Sequence, residues 1–231
     1  MKYAFFDLDG TLIPVDSSIR WAETLLDHAA EDSREALRKE RLQFDVDYHN
    51  GCLDIHKFEG FEMQLLASFP RSELDRLRVE YMRDLIEPHI LPKAVELVEA
   101  YRRSGAKVVM VTASYRYPVE PIAELFNMDH LLCAEPEVGP DGEFTGRCAK
   151  ENFAASKITG VRDYLLERGE PTDIIKQCVF YSDSKNDLPL LEFIADNGGK
   201  AVATNPDDLL RQTAEARGWE ILDLFSKDEM Q

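Results

Sequence analysis

Residues 2–6 form an apolar, aromatic-rich run that stops at an acid, Asp7. A short run of this kind predicts a buried strand. The segment that follows, Asp7-Leu8-Asp9-Gly10-Thr11, carries a glycine that permits a sharp turn. From residue 16 to about 87 the pattern changes, and leucines and aromatics recur at spacings of three and four with charges between them. Trp21, Leu25 and Leu26 make one stripe; Phe58, Phe61, Met63, Leu65 and Leu66 make a second; Leu74, Leu77, Tyr81 and Leu85 make a third. Three or four helices packed as a bundle are expected.

Beyond Pro88 and Pro92 helices and strands alternate. Strands are expected over 107–111, 130–134, 178–181, 200–203 and 219–222. Helices are expected over 93–103, 118–126, 155–167, 187–194 and 206–216, and Pro140-Asp141-Gly142 marks a turn between two hairpin strands. Alternation of this kind implies an α/β fold: a Rossmann-like, three-layer core with a mainly parallel sheet. The core takes residues 1–14 and 89–231, and residues 15–88 form an inserted all-helical cap. The joints are Pro14-Val15 and Glu87-Pro88-His89.

A length of 231 residues suits a core domain with a smaller inserted unit, and 44% hydrophobic residues exclude disorder. The formal net charge of -17 argues against a nucleic-acid partner. The basic residues of the stretch 34–41, and Arg102-Arg103, sit among acids at helical spacing, so they read as solvated faces. No apolar stretch approaches the roughly 18 residues of a membrane span. The amino terminus does not resemble a signal peptide. Cys52, Cys133, Cys148 and Cys178 form no C-x-x-C pair and no usual zinc spacing, so they read as reduced thiols of a cytoplasmic protein. The oligomeric state is left open.

In a parallel sheet the carboxyl ends of the strands lie on one edge, and ligands bind there. Asp7 and Asp9 follow the first strand, Thr112 the second, and Ser182 and Asp183 the strand at 178–181; Lys157 starts a helix that can reach the same edge. Carboxylates gathered there repel one another and call for a hard divalent cation. Mg2+ takes oxygen ligands, and Asp7 and Asp183 are the candidates. The remaining groups suit phosphoryl transfer. Asp7 can attack phosphorus, and Asp9 can protonate the leaving alkoxide and later activate water. Thr112 and Lys157 can hold phosphoryl oxygens. Asp187, four residues after Asp183, can orient Lys157 or a metal-bound water.

Taken together, Asp7-Leu8-Asp9-Gly10-Thr11, Thr112, Lys157 and Asp183 with Asp187 resemble the four motifs of the haloacid dehalogenase-like superfamily. The helical insertion after the first motif resembles the phosphoserine-phosphatase-like subfamily. So do the stretch from Val111-Thr112-Ala113 through Glu120-Pro121-Ile122-Ala123 and the segment Ala203-Thr204-Asn205-Pro206. The resemblance implies that Asp7 is nucleophile and metal ligand. It implies that Asp9 is acid/base and offers its backbone carbonyl to Mg2+, and that Thr112 and Lys157 bind phosphate. Asp183 is then a ligand and Asp187 a supporting acid. Dehalogenases lack the second acid, so Asp9 points to phosphate chemistry on a small phosphorylated metabolite.

In phosphoserine phosphatases an acid nine residues after the nucleophile binds the substrate amine, and Asp16 stands there. Their cap arginine finds no match: alignment on Gly51-Cys52-Leu53 puts Gly60 at its position, and alignment on Phe58 puts Leu65 there. Phosphoserine is therefore disfavoured. Histidinol phosphate, cationic and without a carboxylate, is a candidate substrate, with Asp16 and Arg116 as candidate substrate contacts. Glu23, Glu59 and Glu62 read as solvated helix acids that can also help. Alternative readings are a receiver-like phospho-accepting module, a phosphomutase and a non-catalytic scaffold. Asp9 argues against the first, since a stable phospho-aspartate wants no adjacent base.

Overall fold

The computed structural model describes residues 1–49, 52, 54–226 and 228–230. Seven strands form one sheet: β1 (Tyr3–Phe6), β2 (Lys107–Tyr115), β3 (His130–Val138), β4 (Phe144–Lys150), β5 (Cys178–Ser182), β6 (Lys200–Thr204) and β7 (Glu220–Leu222). Their order is β4-β3-β2-β1-β5-β6-β7, and every pairing except β3 with β4 is parallel. Phe6 lies opposite Met110 on β2 and Tyr181 on β5, so the next residues of all three central strands emerge at one edge.

Side chains alternate across this sheet. Ala4, Phe6, Val108, Met110, Val179 and Tyr181 face one apolar cluster. Tyr3, Phe5, Val109, Val111, Cys178 and Phe180 face the other. Both faces are covered, which is why these strands read as unbroken apolar runs rather than alternating ones.

Nine helices of the described residues cover the sheet or the insertion: α1 (Ser17–His28), α2 (Glu31–His49), α3 (Ile55–Ala67), α4 (Arg71–Tyr81), α5 (Pro92–Arg103), α6 (Arg116–Leu125), α7 (Ser156–Glu167), α8 (Leu188–Asp196) and α9 (Asp208–Arg217). The apolar residues of α5 and α6 join the first face, and those of α7, α8 and α9 the second. Between β1 and α5 the chain makes the four inserted helices α1 to α4. Asp16 caps α1 by accepting from the Ile19 amide at 2.8 Å. The stripes of the insertion are buried as expected: Trp21, Leu25, Leu66, Leu74, Leu77 and Tyr81 continue the first apolar cluster. Arg71 at the start of α4 lies between the rings of Tyr117 and Phe144, 4.6 Å from each centroid, which fastens the insertion to α6 and β4. The α4 helix leaves through one wide π-turn, Met82–Ile86, and a tight turn, Glu87–His89.

The boundaries differ from the sequence reading where tertiary pairing overrides local pattern. β2 runs on to Tyr115 because it resumes pairing with β3 after a register shift between Val111 and Tyr115. β3 runs on to Val138 as one arm of a hairpin with β4, a half-exposed strand without an apolar run. α8 starts at Leu188, since Lys185–Asp187 forms its own tight turn. α9 starts at Asp208, capped by Asp207. All four cysteines are free thiols. Among the described residues no helix is long and apolar enough to cross a membrane.

One buried amide ties two strands together. Asn152 Nδ2 donates to the carbonyls of Thr112 at 2.8 Å and Leu132 at 3.0 Å, joining β2 to β3 where they meet the loop before α7. Asn152→Ala leaves both carbonyls unpaired in dry surroundings. It should lower the unfolding free energy by about 2–3 kcal/mol in a urea titration. An unchanged midpoint would refute the bridging role.

Candidate active site

The loop after β1 is wound tightly. The Leu8 carbonyl accepts from the amides of Thr11, Leu12 and Ile13 at 3.2, 2.8 and 3.2 Å. This turn requires Gly10 twice over. Its φ is 74°, in the left-handed region, and a Cβ there would lie 2.2 Å from Asp183 Oδ2. The Gly10 carbonyl is held in turn by Asn205 Nδ2 at 2.8 Å. Asn205 is itself left-handed, at φ 45°, and accepts from the Phe225 amide at 2.8 Å. The sequence resemblance drew attention to the Asn205 segment but assigned it no contact; this carbonyl is what it holds.

Lys157, at the start of α7, is almost fully buried. Its ammonium donates to Asp7 Oδ1 at 2.9 Å and Asp187 Oδ2 at 2.8 Å. Asp187 also accepts from Ser182 Oγ at 2.8 Å. On the other side, Thr11 Oγ1 donates to Asp183 Oδ1 at 3.1 Å. The Asp183 carbonyl accepts from the Asp207 amide, and Asp207 Oδ2 accepts from the Lys185 amide, which sets the path of the loop after β5. Thr112 is buried in β2, where the register with β3 breaks after Val111, with Oγ1 accepting from the Ser114 amide at 3.1 Å. Asp9 turns toward the insertion. It accepts from the Ser17 amide at 2.7 Å and from Ser114 Oγ at 2.8 Å, and Ser114 Oγ pairs with Ser18 Oγ.

Burial is the first cause of the acidity shifts. It pushes Asp7 up to about 6, against the opposing pull of Lys157 and with help from Asp187. It pushes Asp9 up to about 7, with Asp16 next in effect, although part of Asp9 stays accessible. It raises Asp183 well above the usual carboxylate range, with Asp7 and Asp187 adding to it. Burial alone would lower Lys157, but Asp187 and Asp7 outweigh it and hold the ammonium charged. Asp7 and Asp183 are thus an all-oxygen donor set whose mutual repulsion Lys157 offsets only at Asp7, the kind of set that suits a hard divalent cation.

These groups line a cavity of about 320 Å3 between the sheet edge and the inserted helices. Asp7, Asp9, Thr112, Lys157, Asp183 and Asp187 make its floor. Asp16, Arg41, Phe44, Phe58, Glu59 and Glu62 belong to the opposite wall. Two expectations are corrected here. Arg41, read as part of a solvated face, is buried and lines the cavity, 5.4 Å from the Phe58 ring centroid. Glu62, read as a solvated helix acid, is 7% exposed and lines it too. Both were legible in spacing. Arg41 continues the apolar stripe of Leu37 and Phe44, and Glu62 that of Phe58 and Leu65, so each polar residue occupies a core-facing position.

Arg116 is a third correction. It is not among the residues that line the cavity. Its guanidinium is held by Glu135 at 2.6–3.0 Å and by Glu120 at 3.3 Å, because α6 starts at Arg116 and aims the side chain along β3. Asp16 does line the cavity while capping α1. Glu23 is exposed. Gly60 lies beside a separate hollow between α2 and α3, and Leu65 is buried. Gly51 and Leu53, used for one of the two cap alignments, lie outside the described residues. At the rim His56, Glu59 and Glu151 bring ligand atoms within 4.8 Å of one another; His56 and Glu151 are exposed.

A model of the family described as haloacid dehalogenase-like hydrolase matches residues 4–192. A histidinol-phosphatase of Neisseria meningitidis serogroup C is 36% identical over 220 residues, 95% of this chain and 97% of that protein. A phosphoserine phosphatase of Mycobacterium tuberculosis is 30% identical over 223 residues, covering 95% of this chain and 70% of that one. The crystal structure of a protein of unknown function from Bordetella pertussis superposes with a TM-score of 0.87 at 36% identity, over 96% of this chain and 98% of that chain. The chain is an enzyme and belongs to the haloacid dehalogenase-like hydrolases.

Proposed function

We propose that the protein is a magnesium-dependent phosphatase of a small, amine-bearing phosphomonoester, with histidinol phosphate as the preferred substrate. The observation that carries this reading is the buried Lys157 ammonium, held at once by Asp7 and Asp187 at the edge where Thr112, Asp183 and Asp9 converge. An acid-rich wall opposite, and a histidinol-phosphatase as relative, support the choice of substrate.

In this reading an Asp7 carboxylate oxygen attacks phosphorus, and the phosphorus–oxygen ester bond breaks. Asp9, its carboxyl near neutrality, gives its proton to the departing alkoxide. It then takes a proton from water, which attacks phosphorus and releases inorganic phosphate from Asp7. Lys157 and Thr112 hold the phosphoryl oxygens, and Asp187 keeps Lys157 aimed. Asp7 and Asp183, with the Asp9 carbonyl, would hold Mg2+, which supplies charge neutralisation on the phosphoryl group. Residues 15–88 act as the cap that excludes water.

Asp7→Asn should abolish phosphate release, by about 10^3-fold or more, and Asp9→Asn should slow it by about 10^2–10^4-fold. Normal turnover in Asp7→Asn would refute the mechanism, and persistent phosphorylation of wild-type Asp7 by acetyl phosphate would favour a receiver-like module. In a panel of phosphorylated metabolites kcat/KM for histidinol phosphate should exceed that for phosphoserine by about tenfold or more. Parity between the two would overturn the substrate assignment.

Metal binding has a signature independent of turnover. Asp7 and Asp183 ionise above the ordinary 3.8 in the folded chain. The fold therefore favours their protonated forms, and the metal-free protein loses stability as pH rises from about 4 through about 6 and beyond. A cation bound to the ionised pair offsets that loss. Saturating Mg2+ should raise Tm by about 3–6 °C at pH 7.5 and by under about 1 °C at pH 5. An equal rise at both would contradict the assigned ligands.

A further inference from the structure

The wall facing the catalytic floor contains an acid that the proposed chemistry does not use. Glu62 projects from the middle of α3 at a position that the spacing of Phe58 and Leu65 assigns to the core face. It is 7% exposed and lines the cavity. Among the described residues no donor gives its carboxylate a hydrogen bond. Its carboxylate opens onto the ligand cavity without a protein donor among those residues, which points to a partner that arrives with the ligand.

The surroundings define that partner's charge. Glu62 faces Asp16 from the start of α1, Glu59 from its own helix and Asp9 below, with Arg41 of α2 as the opposing cation. Tyr115 of β2 lies close enough to feel its charge. Burial first, then Asp16, pushes the Glu62 carboxyl up to about 8, despite Arg41. Carboxylates therefore outnumber the single guanidinium on this wall. The apolar lining beside it, Phe44, Phe58, Ile19 and Ile55, leaves room for the carbon skeleton between the two ends of a ligand.

We propose that Glu62, with Asp16 beside it, forms a cation subsite that receives an ammonium or imidazolium of the substrate at the end away from its phosphate, and that Glu62 sets the preference for such phosphomonoesters. This rests on the phosphatase reading of the floor. The phosphate end meets Lys157 and Thr112 and the cationic end meets Glu62, so the charges of the substrate match the two walls in order. A neutral phosphomonoester gains no such pairing at Glu62, and it binds less well than a cationic one for that reason.

Glu62→Gln removes the ionisable group and keeps the shape, and because burial already disfavours the charged form, which lends the fold no stability, its Tm should not fall. KM for histidinol phosphate should rise about tenfold or more in this variant, while kcat/KM for glycerol 3-phosphate should stay within about twofold of wild type. Glu62→Asp, which retains the charge, should recover part of the preference. A parallel fall for both substrates, or no change for either, overturns the proposal. A second measurement does not depend on turnover: calorimetric titration with histidinol, the dephosphorylated product, against wild type and Glu62→Gln. Binding about tenfold tighter to wild type supports the subsite even if no ester releases phosphate, in which case the phosphatase reading alone has failed. Equal binding to both sinks the subsite whatever the phosphatase assay gives.

Discussion

The site depends on how one buried ammonium is shared. Three acids, Asp7, Asp183 and Asp187, meet at the carboxyl edge of the central strands, where burial raises the cost of each negative charge. Lys157 answers two of them from almost complete burial. A buried pair of this kind adds little net stability, because desolvation consumes what attraction returns. Removing the lysine would nevertheless strand two carboxylates. The arrangement therefore fixes geometry rather than strength. It holds Asp7 and Asp187 at a set separation and leaves Asp183, tied among the described residues through Thr11 and its own backbone, without a lysine or arginine partner among them.

The backbone pays attention to the same constraint. Parallel pairing of β1 with β2 and β5 brings Thr112 and Asp183 within one residue of the level of Asp7, and the left-handed Gly10 clears room for the Asp183 carboxylate. Ala154, at φ 47°, is a strained residue for its type. It stands in the turn that launches α7, where its carbonyl accepts from the Lys157 amide at 3.1 Å. That strain sits next to the residue whose position matters most, and Asn152 anchors the same turn to carbonyls of two strands. The supports are thus local turns bolted to sheet carbonyls, which hold the lysine in place in the first turn of α7.

The sheet was legible because its central strands are covered on both faces and so appear as apolar runs, each ending in the polar residue that reaches the site. The floor was legible for the same reason: topology alone brings strand-end residues together. The wall was not. Arg41 and Glu62 belong to stripes that sequence reading divides into apolar core and charged surface, and a charged residue on the inner face of a helix is assigned outward by that division. The hairpin of β3 and β4 was extended beyond its apolar part by pairing that no local pattern encodes. Arg116 misled in the opposite sense. Proximity to Thr112 in sequence suggested the site, but a strand that turns into a helix sends neighbouring side chains in different directions, and Glu135 captured this one.

Floor and wall follow different rules, and the difference bears on how selectivity can arise. Each floor acid has a partner within the chain: Lys157 for Asp7 and Asp187, Thr11 for Asp183, Ser17 and Ser114 for Asp9. In the proposed chemistry those contacts preorganise groups that act on the phosphate itself, so they are independent of what the phosphate is attached to. The wall acid Glu62 lacks such a contact among the described residues, and its environment penalises its charge. A group preorganised by the protein contributes equally to all ligands, whereas a group left uncompensated discriminates, since its penalty is relieved only by a ligand of the right charge. The inserted helices can therefore change their choice of substrate by altering one or two inward positions of α2 and α3 without disturbing the lysine-centred floor.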